Sequence, residues 1–268
     1  MKDMTFGQYY PSHSVVHKMN PAIKILLSIA YIVAVFLVSS ENWYLGFALC
    51  AFFVIAVTLI SKIPFGKLLK SIKGILFFII LSAVLQIFFN KNGTPLWENG
   101  FITDKGLLAA AFITLRITLV VLGASILTFT TSPVEIADGI EVLLAPLKII
   151  KFPAHEFALI MSIALRFIPT LLEETDRIIK AQQARGTNFE GGLFKRAKAL
   201  IPVLIPLLIS AFRRADELAD AMDARCYSGS KKRTKFKKMS IALKDVFAFI
   251  IVGVLVAGAV LLNGVVVL

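Results

Sequence analysis

The chain has 268 residues, of which 57% are hydrophobic and only 17% charged, and 29 Lys and Arg outnumber 17 Asp and Glu for a formal net charge of +12. A soluble domain carries about 25% charged and about 45 to 50% apolar residues, so an ordinary soluble enzyme is excluded and an all-α polytopic membrane protein is expected.

Five apolar runs occur in chain order: Ala22 to Ser40, Trp43 to Ile60, Gly74 to Phe89, Gly106 to Thr130, and Val246 to Leu268. Each is read against the roughly 20 residues that a helix needs to cross a hydrocarbon core with its backbone bonded internally. The first exceeds the ~7 to 15 residues of a signal-peptide core and leads into another apolar stretch, so cleavage is not expected. With the N-terminus cytoplasmic, the segments before Ala22, from Ser61 to Lys73 and from Thr131 to Asp245 lie inside. Only Lys91 and Lys105 then face outward among the basic residues, along with Glu41, Glu98 and Asp104. The excess of positive charge is therefore a topology signal, and no nucleic-acid partner is needed to explain it. Cys50 falls within a span and Cys226 in the cytoplasm, so no disulfide is expected.

Arg116, inside the fourth run, is the one clearly charged side chain in a predicted span. Hydrogen bonding between helices, to threonines such as Thr114 and Thr118, weighs about equally with a substrate role. No intramembrane Asp, Glu or His forms a proton relay. The basic run Lys231 to Lys238 holds the last span in orientation and meets anionic lipid.

The segment Thr131 to Asp245 is too long for a loop and is helical by pattern. Ser132, Pro133 and Glu135 form a capping-box start, Ile136, Ile140, Leu143, Leu144 and Leu147 mark an apolar face, and Pro146 ends or bends this interfacial helix. Two longer segments follow, each with an apolar half containing Ile-Pro (Ile168-Pro169, Ile205-Pro206), a charged half, and a final Ala-Arg. Phe157 to Leu172 contains Arg166, and Ala199 to Phe212 has only 14 residues, so both fall short of spans. Making them spans would also export a basic segment, which leaves seven spans as the minority topology.

Stepping back by three and four from Arg185 gives Gln182, Ile178, Thr175 and Leu171; from Arg225 it gives Met222, Leu218, Ala215 and Ala211. Each arginine thus ends a mostly apolar or small-residue stripe. A guanidinium there suits a groove holding a carboxylate. Ordinary helix-end chemistry, a cation at the negative end followed by Gly186 in the left-handed conformation, accounts for one such arginine. Two matched ones favour a paired functional device. Gly186 and Gly191 have phosphate-loop spacing, but Gly192-Leu193 stands where Lys-Ser or Lys-Thr is required. His13 and His17 lack a third ligand, and His155 stands alone, so no metal site is expected.

These residues resemble the transmembrane T component (EcfT, CbiQ-like) of energy-coupling factor ABC transporters, over nearly the whole chain. His17, Asn20, Pro21 and Lys24 match an H-x-x-D/N-P-x-x-K entry to the first span. Ala184-Arg185-Gly186 and Ala224-Arg225-Cys226 match the family's two short coupling motifs, with Cys226 standing where glycine or serine is common. The resemblance implies a four-span membrane region over 1–130, a cytoplasmic coupling-helix region over 131–240 and a C-terminal transmembrane helix over 241–268. It implies a non-catalytic subunit of the prokaryotic cell membrane that binds no cofactor itself, ATP being used by two ABC ATPase subunits that receive Ala184 to Gly186 and Ala224 to Cys226. The apolar halves, through Phe157, Met161, Leu165, Ile168, Leu204 and Leu208, would hold a membrane-embedded S component that binds a vitamin or metal ion. A conventional ABC importer permease and an intramembrane enzyme are the rival readings.

Overall fold

The computed structural model describes residues 9–38, 43–90, 94, 103–146, 154–187, 189, 192–227 and 242–264, and among them the regular structure is nine α-helices. The basic run Lys231 to Lys238, Glu41, Lys91, Glu98, Leu147 and Lys148 lie outside the described residues, as does the side chain of His155. The helices fall into two compact units, Met1–Ala154 with Met239–Leu268, and His155–Lys238.

The first unit holds α1 (Pro21–Leu37), α2 (Trp43–Ser61), α3 (Phe65–Lys73), α4 (Leu76–Phe89), α5 (Asp104–Thr130), α6 (Pro133–Leu144) and α9 (Leu243–Gly264). Local chemistry sets several starts. The Asn20 side-chain Oδ1 accepts from the Ala22 N–H at 3.0 Å ahead of Pro21, the Thr103 hydroxyl accepts from the Gly106 N–H at 3.1 Å, and Ser132 and Glu135 close the expected capping box. α6 ends at Leu144, two residues before Pro146.

The helices α2, α5 and α9 are each long and apolar enough to cross a membrane. The third apolar run is only the C-terminal limb of a longer element: α3 and α4 together meet the same test but are bent by 58° at Gly74 and Ile75. α1 is a shorter apolar helix of 17 residues, or about 26 Å at 1.5 Å per residue. Phe52, Phe77, Phe89, Val254 and Leu261 are all exposed. A surface of this kind belongs against lipid tails, and the chain is an all-α polytopic membrane protein.

The core of this unit forms around α1, whose Tyr31, Ala34 and Val35 pack with Phe47, Cys50 and Val54 of α2, Leu119 and Ile126 of α5 and Leu255 of α9. α1 runs antiparallel to α5. The Lys24 ammonium donates to the Thr130 carbonyl (3.1 Å) at one end, and Tyr31 donates to the Leu119 carbonyl (3.3 Å) in the middle. A Cβ on Gly123 would stand 2.2 Å from the Tyr31 ring, so only glycine lets that ring lie against α5.

At the far end of α1, Nη2 of Arg116 donates to the Val38 carbonyl at 2.7 Å, while the guanidinium lies 4.3 Å from the Phe112 ring centroid and 5.7 Å from that of Phe36. Arg116 therefore does bond between helices, but to a backbone carbonyl. Thr114 and Thr118 lie on α5 itself, where the Thr118 hydroxyl donates to the Thr114 carbonyl. The reason is physical: the last carbonyls of a helix have no partner within it, and in a span no water substitutes.

A candidate coupling site at the ends of two long helices

The second unit is built on α7 (Ala154–Ala184) and α8 (Leu193–Ala224), of 31 and 32 residues. Each is about 46 to 48 Å long and runs through its internal prolines, Pro169 in α7 and Pro202 and Pro206 in α8. Neither is among the helices long and apolar enough to cross a membrane. On their apolar halves Phe157, Leu204 and Leu208 are exposed, and Met161, Leu165 and Ile168 are half-buried.

Both helices end in the same turn. After α7 the Gly186 N–H donates to the Gln183 carbonyl at 2.9 Å and the Thr187 N–H to the Gln182 carbonyl at 3.0 Å. After α8 the Cys226 N–H donates to the Asp223 carbonyl at 2.8 Å and the Tyr227 N–H to the Met222 carbonyl at 3.0 Å. These paired bonds define a Schellman turn, with the arginine as the last helix residue's successor and the next residue left-handed. Gly186 has φ 89° and Cys226 φ 56°, so the cysteine takes the conformation that glycine takes without strain. Ala184, Arg185, Gly186, Ala224, Arg225 and Cys226 are all exposed. Behind them, Leu171, Thr175, Ile178 and Gln182 on α7 are half-buried, as are Ala211, Leu218 and Met222 on α8, whereas Ala215 is exposed.

A clamp joins the two helices. The Glu174 carboxylate of α7 accepts from the Ser210 hydroxyl at 2.7 Å and from the Arg214 guanidinium of α8. Ser210 is buried, and these two donors hold the Glu174 carboxyl below its ordinary pKa, the hydroxyl contributing most. Glu174 stands eleven residues before Arg185, and Arg214 eleven before Arg225, so the two arms beyond the clamp are of equal length, about 16 Å. Sequence reading missed this trio. Its signal was present, since Glu174 and Arg214 repeat at the same forty-residue offset as the two arginines.

The entry motif of α1 serves packing. His17 Nε2 is 3.0 Å from the Tyr10 carbonyl and Nδ1 is 2.7 Å from the Ser14 hydroxyl, which identifies the neutral tautomer with the proton on Nε2. Burial lowers the His17 pKa from 6.5 against the opposing effect of the Tyr10 bond. Lys24 also donates to the His17 carbonyl at 3.1 Å and to the Thr131 hydroxyl at 3.3 Å. The buried Asp245 carboxylate accepts from the Asn20 N–H (3.1 Å) and the Ala242 N–H (2.9 Å), joining the starts of α1 and α9. Among the described residues no three His, Cys, Asp or Glu converge to hold a metal ion.

Comparison with known proteins places this architecture. The family model for CbiQ, described as a cobalt transport protein, matches residues 12–236. The energy-coupling factor transporter transmembrane protein EcfT of Clostridium kluyveri is 46% identical over 265 residues, covering 97% of both chains. The proteins of that name from Ruminiclostridium cellulolyticum and Bacillus subtilis are 49% identical over 249 residues and 43% identical over 264, covering 92% of both chains and 97% and 98% respectively.

Proposed function

From the premise that the chain belongs to the CbiQ family of cobalt transport proteins, we propose that it is the transmembrane energy-coupling subunit of an ECF-type ABC importer. It transmits ATP-driven motion of two ATPase subunits to a small membrane-embedded S component, which carries the vitamin or transition-metal ion. The observation that carries this reading is the matched pair of arms: two helices clamped at Glu174 and Arg214, each ending about 16 Å farther on in an exposed arginine on a Schellman turn.

Arg185 and Arg225 each pair with a carboxylate in a groove of one ATPase subunit. The planar guanidinium suits bidentate contact, and the turn behind it fixes its direction. On the other side of the clamp, Ile168 lies six residues before Glu174 and Leu208 six before Arg214, about 9 Å along each helix. Displacement of the tips by closing ATPases is thereby passed through one pivot to the apolar halves, where Phe157, Met161, Leu165, Ile168, Leu204 and Leu208 hold the S component. The N-terminus and both arms face the cytoplasm, in line with the side on which the basic residues concentrate. The chain itself binds no cofactor and catalyses no reaction; ATP is hydrolysed by its partners.

Replacing Arg185 and Arg225 together by Glu tests the proposal. The double variant inserts into the membrane but loses co-purification with the ATPase subunits and all uptake. Each single change costs less, on the order of 2 to 5 kcal/mol for one partner of a desolvated pair. Normal ATPase binding and normal uptake in the double variant would refute the coupling role.

A further inference from the structure

A cavity of about 460 Å³ lies within the membrane unit, bounded by Lys24 to Tyr31 of α1, Phe53 to Ile60 of α2, Gly123 to Thr130 of α5 and Lys244 to Val252 of α9. Each window covers one end of its helix. The four ends lie together: Lys24 bonds to Thr130, Asp245 to Asn20, and Ser12, just ahead of α1, to the Ser61 carbonyl that ends α2. Eight or nine residues, a rise of seven or eight steps, correspond to a depth of about 10 to 12 Å along the helices. The lining is almost wholly hydrocarbon. Of its few polar side chains, Lys24 is engaged by three oxygens and the Thr130 hydroxyl donates to Ile126, while Lys244 is exposed.

We propose that this cavity binds an acyl chain of an anionic phospholipid, with the headgroup held at Lys244. The volume is that of a small-molecule site. Water has too few polar partners to occupy it. An alkyl chain fits, and the four walls belong to the unit whose outer surface meets lipid. The charge follows from position. Lys244 is an exposed lining residue in the first turn of α9, where Val15, Val16 and Met19 ahead of α1 also line the cavity, and the adjoining Asp245 carboxylate is already taken up by two backbone N–H groups. A lysine at the membrane surface attracts acidic headgroups over zwitterionic ones.

The test uses the full chain in vesicles carrying either phosphatidylglycerol or phosphatidylcholine with a photoactivatable group partway along the acyl chain, within the depth of the cavity, followed by peptide mapping. Labelling is expected on the cavity walls, at Leu27, Val57 and Val252, and roughly fivefold stronger from phosphatidylglycerol, the scale of one lysine's attraction to an acidic surface. Lys244→Gln leaves the cavity intact, so the walls remain labelled while the preference between the lipids disappears. Ala248→Phe, which fills the cavity, removes wall labelling but not labelling at Val254 and Leu261 on the outer face of α9. Labelling confined to Val254 and Leu261 in the unmodified protein, or equal wall labelling from the two lipids, overturns the proposal.

Discussion

Exchanging the charges of Glu174 and Arg214 probes whether α7 and α8 act as one device. The two side chains are 24% and 35% exposed, between the fully buried case, where a hydrogen bond to a charged group contributes about 1.5 to 3 kcal/mol, and the surface case of about 0.2 to 1 kcal/mol. About 1 kcal/mol is the reasonable value for the native pair once solvent screening is allowed for. Glu174→Arg alone loses that contribution and sets a new cation against Arg214. Two unit charges 4 Å apart repel by about 1 kcal/mol in water and about 4 kcal/mol at an effective dielectric of 20. The single variant thus loses about 2 to 5 kcal/mol at the crossing, enough to populate arrangements in which the arms part. Glu174→Arg with Arg214→Glu restores an ion pair but not the Ser210 bond, and recovers most of the loss. Spin labels at Gln183 and Asp223, one on each arm, report the separation by pulsed electron resonance, and uptake is measured in the same reconstituted preparations. Broad distances and weak uptake are expected in each single variant, with narrow distances and partial uptake in the exchange. A double variant no better than the worse single one, or single variants with native distances and uptake, would refute the clamp as a pivot. Because the Glu174 carboxyl is held below its ordinary 4.5, the pair is fully formed above that pH and is lost only as pH falls through the lowered value. Arm distances should therefore agree at pH 8 and pH 5.

Three further outcomes are expected. Arg116→Met leaves the Val38 carbonyl without its donor and lowers stability in detergent by about 1 to 3 kcal/mol, with partial recovery in Arg116→Lys; unchanged thermal unfolding accompanied by altered substrate affinity would instead indicate a substrate role. Gly123→Ala drives a methyl into the Tyr31 ring and destabilises by about 1 to 3 kcal/mol, measured by the same unfolding assay, and an unaffected melting temperature would contradict the close approach of α1 to α5. His17 has a folded pKa below its unfolded 6.5, so the folded state binds fewer protons. Its contribution is present above pH 6.5 and is lost as pH falls through the lowered value. The slope of stability against pH over this range should flatten in His17→Ala.

The apolar runs, the capping box and the two arginine motifs were legible in the sequence because each depends on residues close along the chain. Pro146 lies just beyond α6 as its missing N–H predicts. Arg185 illustrates the division: ordinary helix-end chemistry and a functional tip were set against each other, and the structure shows the helix-end chemistry at both sites, since both arginines sit on the same Schellman turn. Cys226 takes the left-handed conformation at the position that Gly186 takes in the other turn.

The 58° bend joining α3 to α4, the Val38 carbonyl as the partner of Arg116, the Tyr31 ring over Gly123 and the Glu174, Ser210 and Arg214 clamp could be decided only by tertiary structure. Each depends on groups brought together from far apart in the chain, and hydrophobic period carries no information about which polar atom another helix will present. Composition and local spacing determined that the chain crosses the membrane and where its long helices end. Packing determined which backbone carbonyl lacks a donor, which glycine must stay bare and where the arms are joined, because those outcomes depend on the distance between helices.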